Sequence, residues 1–274
     1  MLDSDNTLRI IHAGALERVV QKCLEHFSKQ YPEYSFEFTA VGSREGAKRL
    51  LLGEEYDIIA LADQALFAEL LVPVLVESYF VFAADQIVLS YNCSSKGSRK
   101  ITPENWPEIL LKPQIRFARS NHHLDPCGYR TLMVWQLAEI FFAKPGLCSA
   151  LEAAAIPYFT YPKSLDLAAA LSKGQIDYAF LYSSQAKQLG LPYIALPAKI
   201  NLSNPAYANF YDQAVVSVDS ITPGENVIIH GRPIEFAVGI AKASKLPVLA
   251  KLFINFLMDL EGNSILEECG FIPC

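Results

Sequence analysis

A chain of 274 residues, 51% of them hydrophobic, can build one large domain or two smaller ones with substantial cores. Its formal net charge of −6 argues against nucleic acid as the partner, since that would select a basic face. No run of about 18 apolar residues occurs, which excludes a membrane-spanning helix. The opening Met1–Asn6 is too polar for a signal peptide, so an exported form would have lost its leader before this start. Six cysteines, Cys23, Cys93, Cys127, Cys148, Cys269 and Cys274, show no Cys-x-x-Cys spacing, and a zinc site is not expected. Cys23 reads as a buried thiol, whereas Cys269 and Cys274 are placed to pair across the C-terminal turn if the protein is exported.

In chain order, Leu8–Ala15 predicts a buried strand ending in a small-residue turn. Leu16, Val19, Val20, Cys23, Leu24 and Phe27 then recur at helical spacing, and Tyr31-Pro32 closes that helix. Tyr34–Ala40 alternates as a second strand, Gly42-Ser43 turns into a helix over Glu45–Leu52, and Tyr56–Ala62 is a third strand. Strands and helices alternating across short turns specify an α/β sheet. Ligands of such sheets bind beyond the carboxyl ends of the strands. Ala13-Gly14-Ala15 and Gly42-Ser43 are two such tips, small enough for a ligand to reach backbone N–H groups, with Ser43 adding a hydroxyl. Both also read as ordinary strand-to-helix turns, and neither phosphate-binding glycine motif is present.

Val76–Ala84 and Gln86–Tyr91 are strand-forming in succession, as where a chain leaves one domain for another. Thr102-Pro103-Glu104 predicts a helix start and Ile115–Ala118 a strand. That strand aims at Ser120–Phe142, which begins polar and becomes helical after Asp125-Pro126, with Met133, Leu137, Ile140 and Phe141 as the apolar stripe. A carboxylate followed by proline is a helix start signal, and a helix start is also a ready anion site. Asp125 is thus either an N-cap alone or an N-cap beside a ligand. The adjacent His122-His123 reads as a solvated loop with the rings pointing different ways. Farther on, Ser164 predicts a helix cap with Gly174 as the stop, and Ile176–Tyr182 a buried strand. Ser183-Ser184 restarts a helix, and Tyr193–Pro197, Gln213–Val218 and Ile234–Ala241 are further strands. A final long helix places Val248, Leu249, Leu252, Phe253, Phe256 and Leu257 on one face, before a last helical turn from Ser264 to Cys269.

Asp125-Pro126-Cys127-Gly128-Tyr129-Arg130 resembles the signature of substrate-binding proteins of molybdate/tungstate ABC transporters, in the branch that expands the metal's coordination. Gly14, Gly42-Ser43, Ala62-Asp63, Asn105-Trp106, Asp177-Tyr178-Ala179-Phe180-x-Tyr182, Leu196-Pro197, Ile200-Asn201-Leu202 and Gly270-Phe271 are similar to the same family over nearly the whole chain. The resemblance implies an α/β fold of the type II periplasmic-binding-protein kind. Two lobes, each a mixed, mostly parallel sheet flanked by helices, would hold a ligand in the cleft between them. Residues 1–85 with 236–274 would form lobe I and 86–235 lobe II. It further implies a monomeric protein outside the cytoplasm, periplasmic or extracellular, held near the membrane by a transporter or lipid anchor. Its partners would be molybdate or tungstate and a permease, with no nucleic acid, no cofactor and no enzymatic step.

The ligand residues implied are Gly14, Ala15, Ser43, Asp125, Pro126, Cys127 and the position of Leu181, with Asp125 binding the Mo or W of the oxyanion directly. Two positions depart from the family: Leu181 stands where a second metal-binding carboxylate is expected, and Ala15 where serine is usual. Altered coordination of the same oxyanion, capture of another small anion or an organic acid, and an enzyme are the three readings that follow. No histidine spacing and no Gly-x-Ser-x-Gly elbow favour the last.

Overall fold

The computed structural model describes residues 6–155, 160–220 and 224–274. Met1–Asp5, the start of the polar opening, lie outside the described residues. The strands are β1 (Thr7–Ala13), β2 (Ser35–Val41), β3 (Ile58–Leu61), β4 (Val76–Asp85), β5 (Ile87–Tyr91), β6 (Phe117–Ser120), β7 (Thr160–Tyr161), β8 (Tyr178–Tyr182), β9 (Tyr193–Ala195), β10 (Val215–Asp219), β11 (Asn226–His230), β12 (Ile234–Ala241) and β13 (Ile272–Pro273). The helices are α1 (Glu17–Gln30), α2 (Ser43–Leu51), α3 (Trp106–Leu110), α4 (Pro126–Phe141), α5 (Leu147–Ala155), α6 (Ser164–Ser172), α7 (Ser183–Gln188), α8 (Ala208–Tyr211), α9 (Pro247–Met258) and α10 (Leu260–Glu268). The chain divides into two compact units, the first running to Ala84 and resuming at Glu235–Cys274, the second spanning Asp85–Ile234.

The first unit is built on a sheet of order β13-β4-β12-β3-β1-β2. β1 runs parallel to β2 and β3, while β12 enters antiparallel to β3. One face is an apolar cluster in which Ile11, Ile59 and Leu61 meet Ala47 and Leu50 of α2 and the aromatic ring of Phe67. Elsewhere in the unit, Phe27 of α1 packs edge-on against Phe36 of β2 and Phe253 of α9, with ring centroids 5.8 and 5.3 Å apart. Burying a ring of that size contributes about 1.5–3 kcal/mol. Val248 and Leu252, expected on the buried face of the last long helix, are instead exposed, and Ala250 and Ile254 take the inner positions.

The second unit has the sheet order β7-β6-β8-β5-β9 and a separate β10-β11 hairpin. β6 is parallel to β7 and β8, and β5 is antiparallel to β8 and β9. Each unit clamps the entry to its central strand with a buried aspartate. Asp57, ahead of β3, accepts from the N–H groups of Arg9 (2.8 Å) and Lys245 (2.9 Å). Asp177, ahead of β8, accepts from the N–H of Arg116 (2.9 Å). Asp85, fully buried where the second unit begins, accepts from the hydroxyls of Ser183 (2.6 Å) and Ser184 (2.5 Å) and the N–H of Gln86 (2.7 Å). Burial raises its pKa above the ordinary carboxylate value while those donors pull it back.

Two local expectations are corrected. Thr102-Pro103 forms a turn, in which the Thr102 hydroxyl accepts from the N–H groups of Glu104 and Asn105, and the helix starts only at Trp106-Pro107. Ser164 is the first residue of α6 rather than its cap, with Lys163 at the cap position. Gly174, with φ of +68°, stops that helix as expected. The strand Asn226–His230 has no counterpart in the sequence reading, because only Ile229 of its five residues is buried. No helix among the described residues is long and apolar enough to cross a membrane.

Candidate functional site

In the first unit, the parallel register pairs Ala13 with Val41, so the two strand tips emerge side by side. Gly14–Leu16 follows as a 3-10 turn leading into α1, and Gly42 caps α2 with Ser43 as its first residue. The Ser43 hydroxyl is fully buried and accepts from the N–H of Ala62, just beyond β3, at 2.9 Å. That bond uses an acceptor lone pair and leaves the O–H to donate. Gly14, Ala15 and Ser43 therefore lie together at one end of one sheet. Ser43→Ala is expected to weaken capture of an anion there by about 1–3 kcal/mol, the cost of losing a buried donor. Isothermal titration of the two proteins checks this, and equal affinities would remove Ser43 from the site.

In the second unit, Asp125 caps α4 through its own side chain: Oδ1 accepts from the N–H of Cys127 at 3.1 Å. Its other oxygen accepts from the N–H of Ser164 at 2.6 Å, so a single carboxylate serves the first residues of both α4 and α6. Burial raises the Asp125 pKa, opposed by the N–H groups of Cys127 and Ser164 and the hydroxyls of Ser120 and Ser164. Pro126 fills the first helical position, where no N–H is needed. Cys127 is fully buried, its thiol directed at the Phe180 carbonyl 3.5 Å away, and burial holds its pKa well above the ordinary thiol value. Gly128 is glycine because α4 begins against the end of β6: a Cβ there would lie 2.5 Å from the Ser120 carbonyl oxygen.

Leu181 is fully buried on β8. β8 is buried on both faces, and Leu181 points with Ala179 into an apolar cluster of Val88, Ala118, Leu167, Ala168, Leu171 and Ala186. Its neighbours Phe180 and Tyr182 take the other direction: Phe180 lies against Trp106 and Trp135, and Tyr182 accepts from Arg130 Nη1 at 2.6 Å.

Arg130 is a buried cation on α4 beside these residues. It is 2% exposed, with its guanidinium 5.8 Å from the ring centroids of both Tyr129 and Tyr182. The available signal was an arginine inside a helix that is otherwise apolar or neutral from Pro126 to Ala138. That helix is buried on nearly all sides, while Ile140 and Phe141, assigned to its stripe, are exposed. The two histidines before it do not point apart. Their rings lie 3.9 Å apart, with His123 against Asp219 (2.8 Å) and His122 against Arg119 (3.3 Å). Burial first, then Arg119 and His123, push the His122 pKa down to about 4.

All six thiols are free, Cys269 buried and Cys274 exposed. Among the described residues no group of three or more His, Cys, Asp or Glu side chains is placed to hold a metal ion.

The architecture of mixed sheets with helices at their strand tips is that of type II periplasmic binding proteins. The chain belongs to the bacterial extracellular solute-binding proteins, whose family profile matches residues 8–272. It is 36% identical over 269 residues to an uncharacterized solute-binding protein of Petrotoga mobilis, covering 98% of this chain and 84% of that protein. It is 31% identical over 289 residues to the molybdate/tungstate-binding protein WtpA of Pyrococcus abyssi, covering 95% and 83%. The periplasmic molybdate-binding protein of Azotobacter vinelandii shares the fold with a TM-score of 0.70 at 15% identity, over 97% of this chain and 98% of that one.

Proposed function

We propose that the chain captures a tetrahedral oxyanion, molybdate or tungstate, outside the cytoplasm and passes it as a monomer to the permease of an ABC importer. The observation that carries this reading is the register-locked pair of strand tips in the first unit, with a buried serine hydroxyl committed as an acceptor and left to donate. Backbone N–H groups of Gly14 and Ala15 and the Ser43 O–H are neutral donors, and they suit a dianion bound by a chain of net charge −6. At the start of α4, in the second unit, Asp125 is the carboxylate offered to the metal of the oxyanion, while the Cys127 N–H is committed to its Oδ1. With leucine at position 181, one protein carboxylate remains for the metal. Relatives named as molybdate/tungstate-binding support the ligand class. The protein binds and releases its ligand unchanged, and it is kept near the membrane by its transporter or a lipid anchor.

A second reading, another small anion or an organic acid on the same scaffold, is favoured by the missing carboxylate at Leu181 and the missing hydroxyl at Ala15. Thermal unfolding with tungstate, molybdate, sulfate and phosphate at equal concentration separates the two. A ligand at about a hundred times its dissociation constant adds roughly 2.7 kcal/mol of stability. A rise in Tm with tungstate and molybdate but not with sulfate is expected. No rise with any of the four, followed by a rise in a panel of organic acids, moves the assignment to the second reading.

A further inference from the structure

His12 is the residue of β1 just before the Ala13-Gly14-Ala15 turn, and it is fully buried. Its Nδ1 lies 2.9 Å from the Ala13 carbonyl oxygen, which can only accept, so that nitrogen carries the proton and donates. The bond ties the ring to the peptide that opens the turn. Nε2 is then a bare lone pair, buried and without a partner. A buried acceptor left in this way is an unmet cost in a folded protein and calls for an explanation. The surroundings hold little charge. Glu17, the first residue of α1, is the titratable group that acts on the ring. On β2 the ring meets Phe38 at 5.7 Å, and its ladder partners are Ala40 and Ala60. Burial holds the imidazole below its ordinary pKa, against the opposing pull of the Ala13 carbonyl and Glu17.

We propose that His12 takes up one proton when an oxyanion settles at the neighbouring turn, so that anion capture is coupled to proton capture. This rests on the oxyanion reading above. A proton from water adds to Nε2 and no other covalent bond is made or broken; on release of the anion the same proton returns to water. A dianion close to the ring supplies the favourable charge interaction that burial denied it, and Nε2–H turns the unmet acceptor into a donor. An acidic chain thereby gains a positive charge at the turn only while the ligand is present. The sign follows from linkage. His12 has the higher pKa in the bound state, so affinity rises as pH falls through the bound value and levels off below the free value.

The test is isothermal titration of micromolar tungstate into the intact chain, between about pH 6 and about pH 8, in pairs of buffers with different ionisation enthalpies. The expected result is uptake of up to one proton per anion within that window, with affinity rising by up to about tenfold per pH unit on acidification. His12→Phe, which keeps an aromatic ring beside Phe38, is expected to bind tungstate with neither effect. If that variant fails to fold, the proton count on the unaltered chain decides alone. Tight binding with the same affinity and no buffer dependence across the window overturns the proposal and leaves the oxyanion reading standing. Uptake that persists in His12→Phe assigns the proton elsewhere and equally overturns it. No tungstate binding at any pH overturns both.

Discussion

Leu181→Glu is expected to unfold much of the protein at neutral pH rather than to restore a metal ligand. Leu181 is fully buried in the second unit, in an apolar cluster with Val88, Ala118, Leu167, Ala168, Leu171 and Ala186. A carboxylate placed there must either stay ionised without a partner or be held protonated well above its ordinary pKa. Holding it neutral at pH 7 costs roughly 3–4 kcal/mol, at about 1.4 kcal/mol per pKa unit. Loss of the leucine's apolar burial adds about 2 kcal/mol. The sum is a large fraction of the roughly 5–15 kcal/mol that stabilises an ordinary domain. Urea unfolding of Leu181→Glu beside the parent chain measures it, with Leu181→Met as a volume-matched control expected to cost less than about 1.5 kcal/mol. A stable Leu181→Glu protein with tighter tungstate binding would show instead that position 181 turns toward the ligand.

Asp125→Ala carries the second large effect, and it acts on two levels. On stability, the variant removes the cap of α4, worth about 1 kcal/mol, and leaves the Ser164 N–H at the start of α6 without its acceptor, about 1–3 kcal/mol more. The total, about 2–4 kcal/mol, appears as a lower urea midpoint at unchanged slope. On function, the variant removes the carboxylate proposed to reach the metal of the oxyanion, and tungstate affinity is expected to fall strongly. Asp125→Asn separates the two levels. Its amide oxygen can serve the N–H of either Cys127 or Ser164, but its amide nitrogen cannot accept from the other. About half the stability is therefore expected to return, while metal coordination, which needs the anionic oxygen, stays impaired. A folded Asp125→Asn protein that binds tungstate as the parent does would confine Asp125 to holding the two helix starts.

The contrast between these two residues shows what the sequence makes legible. Asp125-Pro126 announces a helix start because capping is local chemistry, complete within three residues. The second half of its role, the bond to Ser164, lies 39 residues away and has no local signature. Leu181 sits in Tyr178–Tyr182, five buried residues in a row, and a strand covered on both faces loses the alternation that would tell which way each side chain points. The same loss of contrast blurs α4, where a helix buried almost all round has no single apolar stripe, so Ile140 and Phe141 were placed inside although they are exposed. Hairpin strand β11 went unread for the opposite reason, since a mostly exposed strand carries little apolar pattern. The order of strands and helices in the first unit, by contrast, was readable from periodicity and turn residues, because β1, α1, β2, α2 and β3 follow one another through short connections. Asp219 of β10 and Arg119 of β6 engage the two histidines, and the contact with Asp219, 96 residues from His123, has no local signature.

Native mass spectrometry of the chain with tungstate in the presence of excess sulfate tests oxyanion capture. One tungstate is expected to be retained per chain despite the sulfate, with the adduct lost or much reduced in Ser43→Ala. A chain that retains no tungstate, or exchanges it freely for sulfate, would contradict it.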